Sequence, residues 1–366
     1  MRQDLLAQLR NGEITPGTKL PGERLLAQKY GISYMTARKV ISGLEADGFL
    51  ERRRSLGTFV RPGLTNLDIL RHNRIIAVVF ANLESSISGQ FLCAMEARAA
   101  KHGYMTVVCN SHDDLSQEAV ILHDLLAKNI AGVVLVSIRP PFNSQIVEQF
   151  TRNNIPLVCV DRVFHNIEAD SIECDNYNAA YRATSYLISL GHRNIGHITI
   201  PEFSIFNARV SQERLQGYKQ ALLDNGLVFS KDNLAFIHQE HYTSLVNETD
   251  RMSCGYYPGI QLLSQNKAVT AVFLAFDELA FGFYKAAREL GRTIPDDLSV
   301  VGLNDLPMCE SLTPTLTSMA QPFPEMGDSA IEMLVHRIES FGTLPPVNRK
   351  INMLLKTRNS VAPPRI

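Results

Sequence analysis

Residues 12–60 have the sequence GEITPGTKLPGERLLAQKYGISYMTARKVISGLEADGFLERRRSLGTFV. Pro-Gly pairs at positions 16–17 and 21–22 mark turns, and Gly31 separates two short stretches of helix-forming residues. Ser33 is a typical N-cap for the second stretch, which ends near Asp47-Gly48. Two helices joined by a tight turn that contains glycine have the spacing of a helix-turn-helix.

The N-terminal part of the chain, which we call the head (residues 1–63), is expected to contain three helices and a hairpin. The helices are predicted at Asp4–Leu9, Glu23–Tyr30 and from Ser33 to Asp47. Three residues of the second helix are expected to face inward: Leu25, Leu26 and Tyr30. Two short strands around Ser55-Leu56-Gly57 form a wing, and the arginines Arg52 to Arg54 beside its tip suit phosphate contact or insertion into a minor groove.

The head and the rest of the chain carry opposite net charges. Residues 1–63 contain 11 Lys and Arg against 6 Asp and Glu, a net charge of +5. The other 303 residues contain 25 against 31, a net charge of -6, so the whole-chain value of -1 conceals a basic segment. A basic head on an acidic body is typical of a chain with two different partners, although charge alone is also compatible with a chance fluctuation.

The head resembles the winged helix-turn-helix of the GntR family through PG-x-x-LP-x-ER-x-LA, GIS-x-x-TAR, LEADGFLERR and GTFV. This resemblance implies double-stranded operator DNA as a partner and assigns DNA contacts to Arg24, Ser33, Tyr34, Met35, Thr36, Arg38, Arg54 and Gly57. Lys39 is expected to contact DNA as well, because it lies on the same side of the third helix as Thr36 and Arg38. Many members carry Arg where this chain has Tyr34. Arg reads guanine through two hydrogen bonds, whereas Tyr and Met offer apolar contact, for instance to a thymine methyl. The half-site sequence therefore does not carry over from the family.

Each basic residue of the head also has a purely structural interpretation. Arg24 is compatible with a surface ion pair to Glu23, and Arg38 and Lys39 with a solvated helix face. One face of the strand that carries Arg52 to Arg54 must point inward, so these arginines are partly structural in that alternative. The combined pattern favours DNA binding by the module.

The body alternates apolar strand-like runs with helical patterns. Strands are predicted at Ile75–Phe80, Met105–Cys109, Gly132–Val136, Pro156–Val160, Ile195–Ile200, Ala271–Ala275 and Leu298–Gly302. Helices are predicted at Gly89–His102, Gln117–Lys128, Asn143–Asn153, Asn176–Leu190, Gln212–Asn225, Glu278–Leu290 and Pro324–Phe341. This alternation predicts an α/β fold with parallel sheets covered on both faces, and its length of about 290 residues predicts two lobes with ligand bound in the cleft between them.

Residues 74–357 resemble the effector domain of LacI/GalR-type regulators, which has the periplasmic binding protein type 1 fold. The supporting strings are IPLVCVDR, LGHRNIGHI, QERLQGYKQAL, TAVFLAFDELAFG and IPDDLSVVGLNDLP followed by LTPTLTSMAQP. The resemblance implies two lobes joined by three crossings (near 161–163, 303–306 and 321–324), a sugar or nucleobase-type effector and a homodimer. The family's hinge-helix motif is absent and a GntR-type head takes its place, as in arabinose-responsive chimeric repressors. The expected domains are 1–63, a linker at 64–74, and 75–357.

The resemblance also assigns effector contacts. Asp277 matches the family's cleft acid and Arg214 its ligand-contacting arginine, while Asp161 and Arg162 follow a strand at a lobe crossing. A polyol needs carboxylates to accept from its hydroxyls and an arginine to donate in a planar fork. The structural alternatives are a helix N-cap for Asp277, a surface ion pair for Arg214 and an interlobe ion pair for Asp161 and Arg162.

Three further residues of the body complete the expected effector site. Ser88 and Phe91 follow the first strand and are candidate floor residues, with packing in the core as the alternative. Phe276 stands where the family usually has Asn, which removes one hydrogen bond and adds a stacking face. Asn304 and Asp305 are expected to shape a crossing rather than to contact ligand.

Other classes of protein are disfavoured by the sequence. GxSxG, P-loop, GxGxxG and HExxH motifs are absent, and Ser264 and Lys267 fit SxxK without its partner motifs, so we expect neither an enzyme nor a cofactor. His192 and His197 are five residues apart, a spacing that does not favour a metal site. The six cysteines are scattered and mostly lie in apolar runs, so we expect buried thiols in a cytoplasmic protein. The start MRQDLLAQLRNGE lacks the apolar core of a signal peptide, and no apolar run is long enough for a membrane helix.

The sequence thus predicts a dimeric, ligand-responsive transcriptional regulator that represses carbohydrate-utilisation genes. One alternative is a regulator of the same fold whose effector is a purine or another non-sugar metabolite. A second is a solute-binding protein for uptake, which the missing signal peptide and the basic head disfavour.

Overall fold

The computed structural model describes all residues except 11, 65–73, 85, 129, 138, 141, 165, 201–207, 247–249, 251, 341–344 and 366. The fold is α/β, with a small helix-turn-helix head and two lobes built on parallel sheets, as the sequence predicts. Contacts divide the chain into two compact units: Met1–Ile172 with Pro324–Arg349, and Glu173–Phe323 with Lys350–Ile366. The linker expected at 64–74 lies, apart from its two end residues, outside the described residues.

The head consists of α1 (Arg2–Arg10), α2 (Glu23–Lys29), α3 (Tyr34–Ala46), β1 (Leu50–Arg53) and β2 (Gly57–Val60). β1 and β2 pair antiparallel, from Leu50 opposite Val60 to Arg53 opposite Gly57, and form the expected wing. An apolar cluster that includes Leu6, Leu26, Ile41, Leu44 and Phe49 holds the head together. The expectation that Leu25 faces inward is wrong, because α2 buries Leu26 and Ala27 instead and leaves Leu25 62% exposed.

The first lobe is built on a six-stranded sheet. Its strands are β3 (Ile75–Phe80), β4 (Met105–Asn110), β5 (Gly132–Val136), β6 (Leu157–Val160), β7 (Asp170–Cys174) and β13 (Asn348–Ile351). Their order is β13-β7-β6-β5-β3-β4, and the pairs among β3 to β7 are parallel. The helices are α4 (Ser86–Lys101), α5 (Leu115–Ala127), α6 (Ser144–Arg152) and α13 (Phe323–Glu339). Val79, Val133 and Leu135 belong to the apolar core of this lobe.

The second lobe has a sheet of the same size. Its strands are β8 (Ile195–Thr199), β9 (Leu234–Phe236), β10 (Ala271–Leu274), β11 (Ser299–Asn304), β12 (Thr317–Ala320) and β14 (Leu354–Lys356). Their order is β14-β12-β11-β10-β8-β9, and only the β12–β14 pair among these is antiparallel. The helices are α7 (Asn176–Ser189), α8 (Ala208–Asp224), α9 (Gln239–Val246), α10 (Ser253–Gln265), α11 (Leu279–Glu289) and the short α12 (Met308–Ser311).

Two of the three expected lobe crossings differ from the structure. The chain passes between the two units after Ile172, after Phe323 and after Arg349. Residues 161–163 lie inside the first unit, because the chain continues into β7, which pairs with β6. Residues 303–306 lie inside the second unit, because the chain continues into β12, which pairs with β11. Among the described residues, no helix has both the length and the apolar character needed to cross a membrane.

Candidate DNA-binding surface and effector-binding residues

The recognition helix α3 begins with a hydrogen-bonded cap that uses two of the expected DNA-contacting side chains. Ser33 Oγ accepts a hydrogen bond from the backbone N–H of Thr36 at 3.1 Å. The hydroxyls of Ser33 and Thr36 lie 2.8 Å apart, so one of them donates a hydrogen bond to the other. This arrangement is the N-cap that the sequence predicts, and it engages both hydroxyls in starting the helix.

The outward face of α3 combines apolar and basic side chains. Ala37, Ile41 and Leu44 are buried on the inner face. Tyr34 and Met35 are 42% and 67% exposed, and Arg38 and Lys39 are exposed as well. Neither basic side chain makes a hydrogen bond or ion pair with another described residue. At these four positions, the outward face of α3 makes no hydrogen bond or ion pair with another described residue.

Arg52 connects the three elements from which the candidate surface is built. Its guanidinium donates to Glu23 Oε1 at 2.8 Å and to Ser42 Oγ at 3.2 Å, and its Nε lies 3.3 Å from Glu45 Oε2. Strand β1 is thereby tied to the start of α2 and to the second half of α3. These contacts support the structural interpretation of Arg52.

Arg24 is exposed and does not pair with Glu23, whose carboxylate holds Arg52 instead. Like the two basic residues of α3, Arg24 makes no hydrogen bond or ion pair with a described residue. Because Arg24 directly follows Glu23, the Arg52 contacts place the start of α2 beside the wing. The surface ion pair considered for Arg24 is not formed.

Two neighbouring arginines beside the wing tip differ in their contacts: Arg53 is paired with another described residue and Arg54 is not. Arg53 donates to Glu51 Oε1 at 2.6 Å, and its guanidinium lies over the ring of Phe59, 4.6 Å from the centroid. Arg54 is exposed and has no hydrogen bond or ion pair within the described part of the chain. Gly57 adopts φ +112°, and a Cβ there would lie 3.1 Å from Lys19 Cε, so the turn requires glycine. Its role at this position is backbone geometry.

In the second lobe, Arg214 lies where three elements meet at the carboxyl ends of the parallel strands. From α8 it donates through Nε to Asn176 Oδ1 at 2.9 Å and through a terminal nitrogen to the carbonyl of Ala275 at 2.6 Å. Arg214 is 9% exposed. It is thus no surface ion pair, and its guanidinium is held rigidly beside the end of β10, the edge at which open α/β sheets bind ligands.

Phe276 and Asp277 lie just after β10 but contact different partners. The Phe276 ring packs edge-to-face on Tyr242, with centroids 6.2 Å apart. Asp277 is fully buried, and Glu278 rather than Asp277 is the N-cap residue of α11. Its Oδ2 accepts from the backbone N–H of Leu306 at 2.8 Å, and its Oδ1 accepts from Ser318 Oγ at 2.7 Å.

These contacts make Asp277 a link between β10 and the segments after β11 and at β12. Burial raises the pKa of its carboxyl above the ordinary range. A Cβ on Gly302 would lie 2.2 Å from Asp277 Oδ1, so the carboxylate needs glycine beside it. The neighbouring Asp305 pairs with Arg358 and Lys356, both at 2.7 Å. The geometry supports a structural role for Asp277 within its own lobe.

In the first lobe, the four expected effector residues lie near the carboxyl ends of the strands. Asp161 directly follows β6 and has φ +67°, and its Oδ2 lies 4.0 Å from Arg162 Nε. Both side chains are half-buried. Ser88 is 7% exposed and donates to the carbonyl of Asn82, so it fixes the loop after β3. Phe91 is 1% exposed, which supports its role in packing.

A buried polar cluster at the same edge of the first lobe was not predicted. Glu118 is fully buried in α5 and accepts from Ser137 Oγ at 3.1 Å and from Asn143 Nδ2 at 2.9 Å. Ser137 follows β5 directly. A glutamate in a helical pattern usually marks the solvent face, so nothing in the local sequence indicates this burial. In the second lobe, Asn176 was missed as the partner of Arg214, although its position at a helix start after Asp175 is a usable signal.

The two histidines of GHRNIGH are both structural. His192 bonds Thr270 Oγ1 at 2.9 Å and the carbonyl of Ala362 at 2.9 Å. His197 is fully buried between the rings of Tyr218 and Phe273 and donates through Nδ1 to the Phe273 carbonyl at 2.8 Å. Burial lowers the pKa of His197 to about 4. No cluster of metal-ligating side chains occurs among the described residues.

We expected all six cysteine thiols to be buried, but two of them are not. Cys159, Cys174, Cys254 and Cys309 are buried, whereas Cys93 is exposed and Cys109 is half-buried. Cys93 lies on α4 and Cys109 on β4. β4 is the last strand of its sheet, so its apolar run is covered on fewer sides than the central strands.

Comparison with known proteins gives one family match in the head and one in the body. Residues 1–60 match the family model of bacterial regulatory proteins of the gntR family, and residues 184–361 match a periplasmic binding protein-like domain. The HTH-type transcriptional repressor CytR of Escherichia coli strain K12 is 30% identical over 267 residues, which cover 73% of each chain. The chain belongs to the LacI family of transcriptional regulators. Its head, however, is of the GntR type.

Other relatives of this LacI-family regulator include the ribose operon repressor of Haemophilus influenzae, 30% identical over 272 residues, 74% of this chain and 76% of that one. Among solved structures, a transcriptional regulator CelR-cellobiose complex superposes with a TM-score of 0.66 at 23% identity, covering 93% of this chain and 100% of that one. A LacI family regulator from Enterococcus faecium with bound ribose gives 0.63 at 23% identity, covering 80% and 100%. These similarities establish the fold of the regulator.

Proposed function

We propose that this chain represses carbohydrate-utilisation genes by binding operator DNA as a homodimer and that a sugar-like effector releases it. Residues 1–63 bind DNA, 64–74 connect, and 75–357 bind effector and dimerise. As a dimer, the chain would present two recognition helices to successive major grooves, with half-sites one helical turn or a multiple apart.

The observation that carries the DNA-binding part is the set of unpaired cations in the head. Arg24, Arg38, Lys39 and Arg54 are exposed and make no ion pair with a described residue. Arg52 is paired with Glu23 and Glu45 and is therefore not one of these cations. Phosphate contacts of this kind supply most of the affinity of a DNA-binding module.

The effector contacts are proposed from both lobes, each considered by itself. In the second lobe, Arg214 is the strongest candidate, because its guanidinium is oriented by Asn176 and the Ala275 carbonyl at the carboxyl edge of the sheet. In the first lobe, Asp161 and Arg162 offer a carboxylate and a guanidinium in the same turn. Paired donors and acceptors suit the vicinal hydroxyls of a sugar. The ribose and cellobiose of similar regulators support this class of effector.

An effector with a planar ring is the second candidate. Phe276 and Tyr242 form an edge-to-face aromatic pair beside the end of β10. Aromatic faces of this kind suit the ring of a purine or another heterocycle. A sugar and a heterocycle are therefore the two classes that a ligand screen must separate.

Homodimerisation is proposed on the exposed strand β4. It lies at the edge of the first lobe's sheet, and Met105, Val107 and Val108 are 66%, 42% and 38% exposed. An apolar edge strand left open to water favours association with another copy.

Two linked experiments test the proposal. The full-length chain is first used to select binding sites from random duplex DNA. A panel of sugars, polyols and nucleosides is then tested for release of the selected duplex. The melting temperature of the full-length chain is measured with each compound. The proposal expects a two-fold symmetric site and release by a sugar or polyol. Failure to enrich any sequence would overturn DNA-binding regulation, and release by nucleosides alone would replace the sugar by a heterocycle.

A further inference from the structure

The start of the recognition helix carries a large apolar side chain with no structural reason to be there. Met35 is 67% exposed, whereas the residues that anchor α3 are Ala37, Ile41 and Leu44. At 100° per residue, Met35 lies about 160° from Ala37 around the helix, almost opposite the buried face. Met35 therefore buries only a minor part of its apolar surface in the unbound head.

The polar side chains around Met35 are already engaged. The hydroxyls of Ser33 and Thr36 bond each other, and Ser33 also caps the helix. A hydroxyl held in a cap has less freedom to read the edge of a base. In the first turn, Tyr34 and Met35 are therefore exposed without a hydrogen bond to a described residue, and Arg38 follows one turn further on.

We propose that Met35 reads the 5-methyl group of a thymine in each half-site of the operator. This proposal rests on the proposed function, because it requires α3 to enter the major groove of DNA. The thymine methyl is the apolar group that base pairs present in that groove. The unbranched thioether of methionine adapts to such a surface, and Arg24, Arg38, Lys39 and Arg54 supply the charge that holds the helix against the phosphates.

The experiment removes only the 5-methyl group of a thymine from the DNA. In the site selected by the wild-type chain, each thymine of the half-site is replaced in turn by deoxyuridine, symmetrically in both half-sites, which keeps every hydrogen-bonding group. Burial of one methyl-sized group corresponds to about fourfold in affinity, so two half-sites give about 15-fold. We expect one thymine position at which the wild-type chain loses about 15-fold and Met35→Ala loses less than twofold.

Matched variants separate Met35 from its neighbours. Met35→Leu keeps an apolar contact and should retain most of the deoxyuridine effect, and Leu56→Ala at the wing tip should retain all of it. Met35 is exposed, so the melting temperature of the full-length chain should be unchanged in Met35→Ala. Loss of the effect in Tyr34→Ala but not in Met35→Ala would overturn the assignment, as would a selected half-site that shows no deoxyuridine effect at all. Failure to enrich any site would instead refute the proposed function.

Discussion

Replacing Arg54 by Ala should reduce the salt dependence of operator binding, whereas replacing Arg52 by Gln should leave it unchanged. The two residues are neighbours in the run Arg52 to Arg54, but their surroundings differ. Arg54 is free of described partners at the wing tip, while Arg52 is held by Glu23, Glu45 and Ser42. An unpaired cation can bind a phosphate and release its counterions directly, whereas Arg52 would first have to leave the carboxylates of Glu23 and Glu45.

The magnitude follows from the number of unpaired cations on the candidate surface. Arg24, Arg38, Lys39 and Arg54 allow about four phosphate contacts per head and about eight in a dimer, so the slope of log K against log salt is about -7. Affinity should then fall about 10⁴-fold between roughly 50 and 200 mM salt. Arg54→Ala removes about two contacts per dimer and should bring the slope to about -5.

The assay is fluorescence anisotropy on the selected duplex at several salt concentrations. Arg52→Gln should lower affinity by a factor independent of salt, because it loosens the wing from α2 and α3. Arg152→Ala serves as a control, since this exposed arginine lies on the first lobe and pairs with Glu148 at 2.7 Å. Equal changes of slope in the Arg52 and Arg54 variants would refute the distinction between paired and unpaired arginines.

Three further predictions concern the second lobe. Burial lowers the pKa of His197 to about 4. Its contribution to the free energy of unfolding is therefore complete above about pH 6.5 and is lost as the pH falls toward 4. His197→Phe should reduce this loss by about 3 kcal/mol in denaturant titrations. Asp277→Ala should lower the free energy of unfolding by about 2–4 kcal/mol because it strands the buried donor of Leu306, whereas Asp277→Asn keeps an acceptor there and should lose less. Gly302→Ala should lower it by about 1–3 kcal/mol, because the new methyl would collide with the Asp277 carboxylate.

Each of these has a result that contradicts it. An unchanged pH profile in His197→Phe would mean that the imidazole titrates normally in the folded lobe. If Asp277→Ala is as stable as the wild type but no longer binds effector, Asp277 would be assigned to the effector site. A Gly302→Ala variant as stable as the wild type would show that the carboxylate has room to move.

The strands that sequence patterns predict are those buried as continuous apolar runs. β3, β5 and β6 have the expected cores, whereas β7 was missed because three of the five residues of DSIEC are polar and no continuous apolar run marks it. All five of its residues are nonetheless buried, and Asp170 is neutralised by Arg337 at 2.5 Å, 167 residues away in sequence. Helix α10 was missed because Gly255, Pro258 and Gly259 signal a break, yet all three are buried within it.

The residues of the candidate sites also differ in how much of their surroundings the sequence predicts. Arg24, Tyr34 and Met35 were named through the resemblance to the GntR family's motif, and all three are exposed. The partners of Asp277 come from segments 29 and 41 residues further along the chain, and no local pattern reveals them. Leu25 was misplaced because α2 has only two turns, and its neighbours fill the inner face.

The central claim is that DNA and effector bind at separate sites in the head and the body. Its most direct test is operator binding by wild-type chain and Arg24→Ala, each measured with and without the effector found in the ligand panel. The effector should weaken wild-type binding by a large factor, with an affinity ratio between states of about 10⁴ needed for a full switch. Arg24→Ala should bind operator more weakly in both conditions and keep the wild-type thermal shift with effector. Loss of that thermal shift in Arg24→Ala, or operator binding that is indifferent to Arg24, would contradict the two-site account.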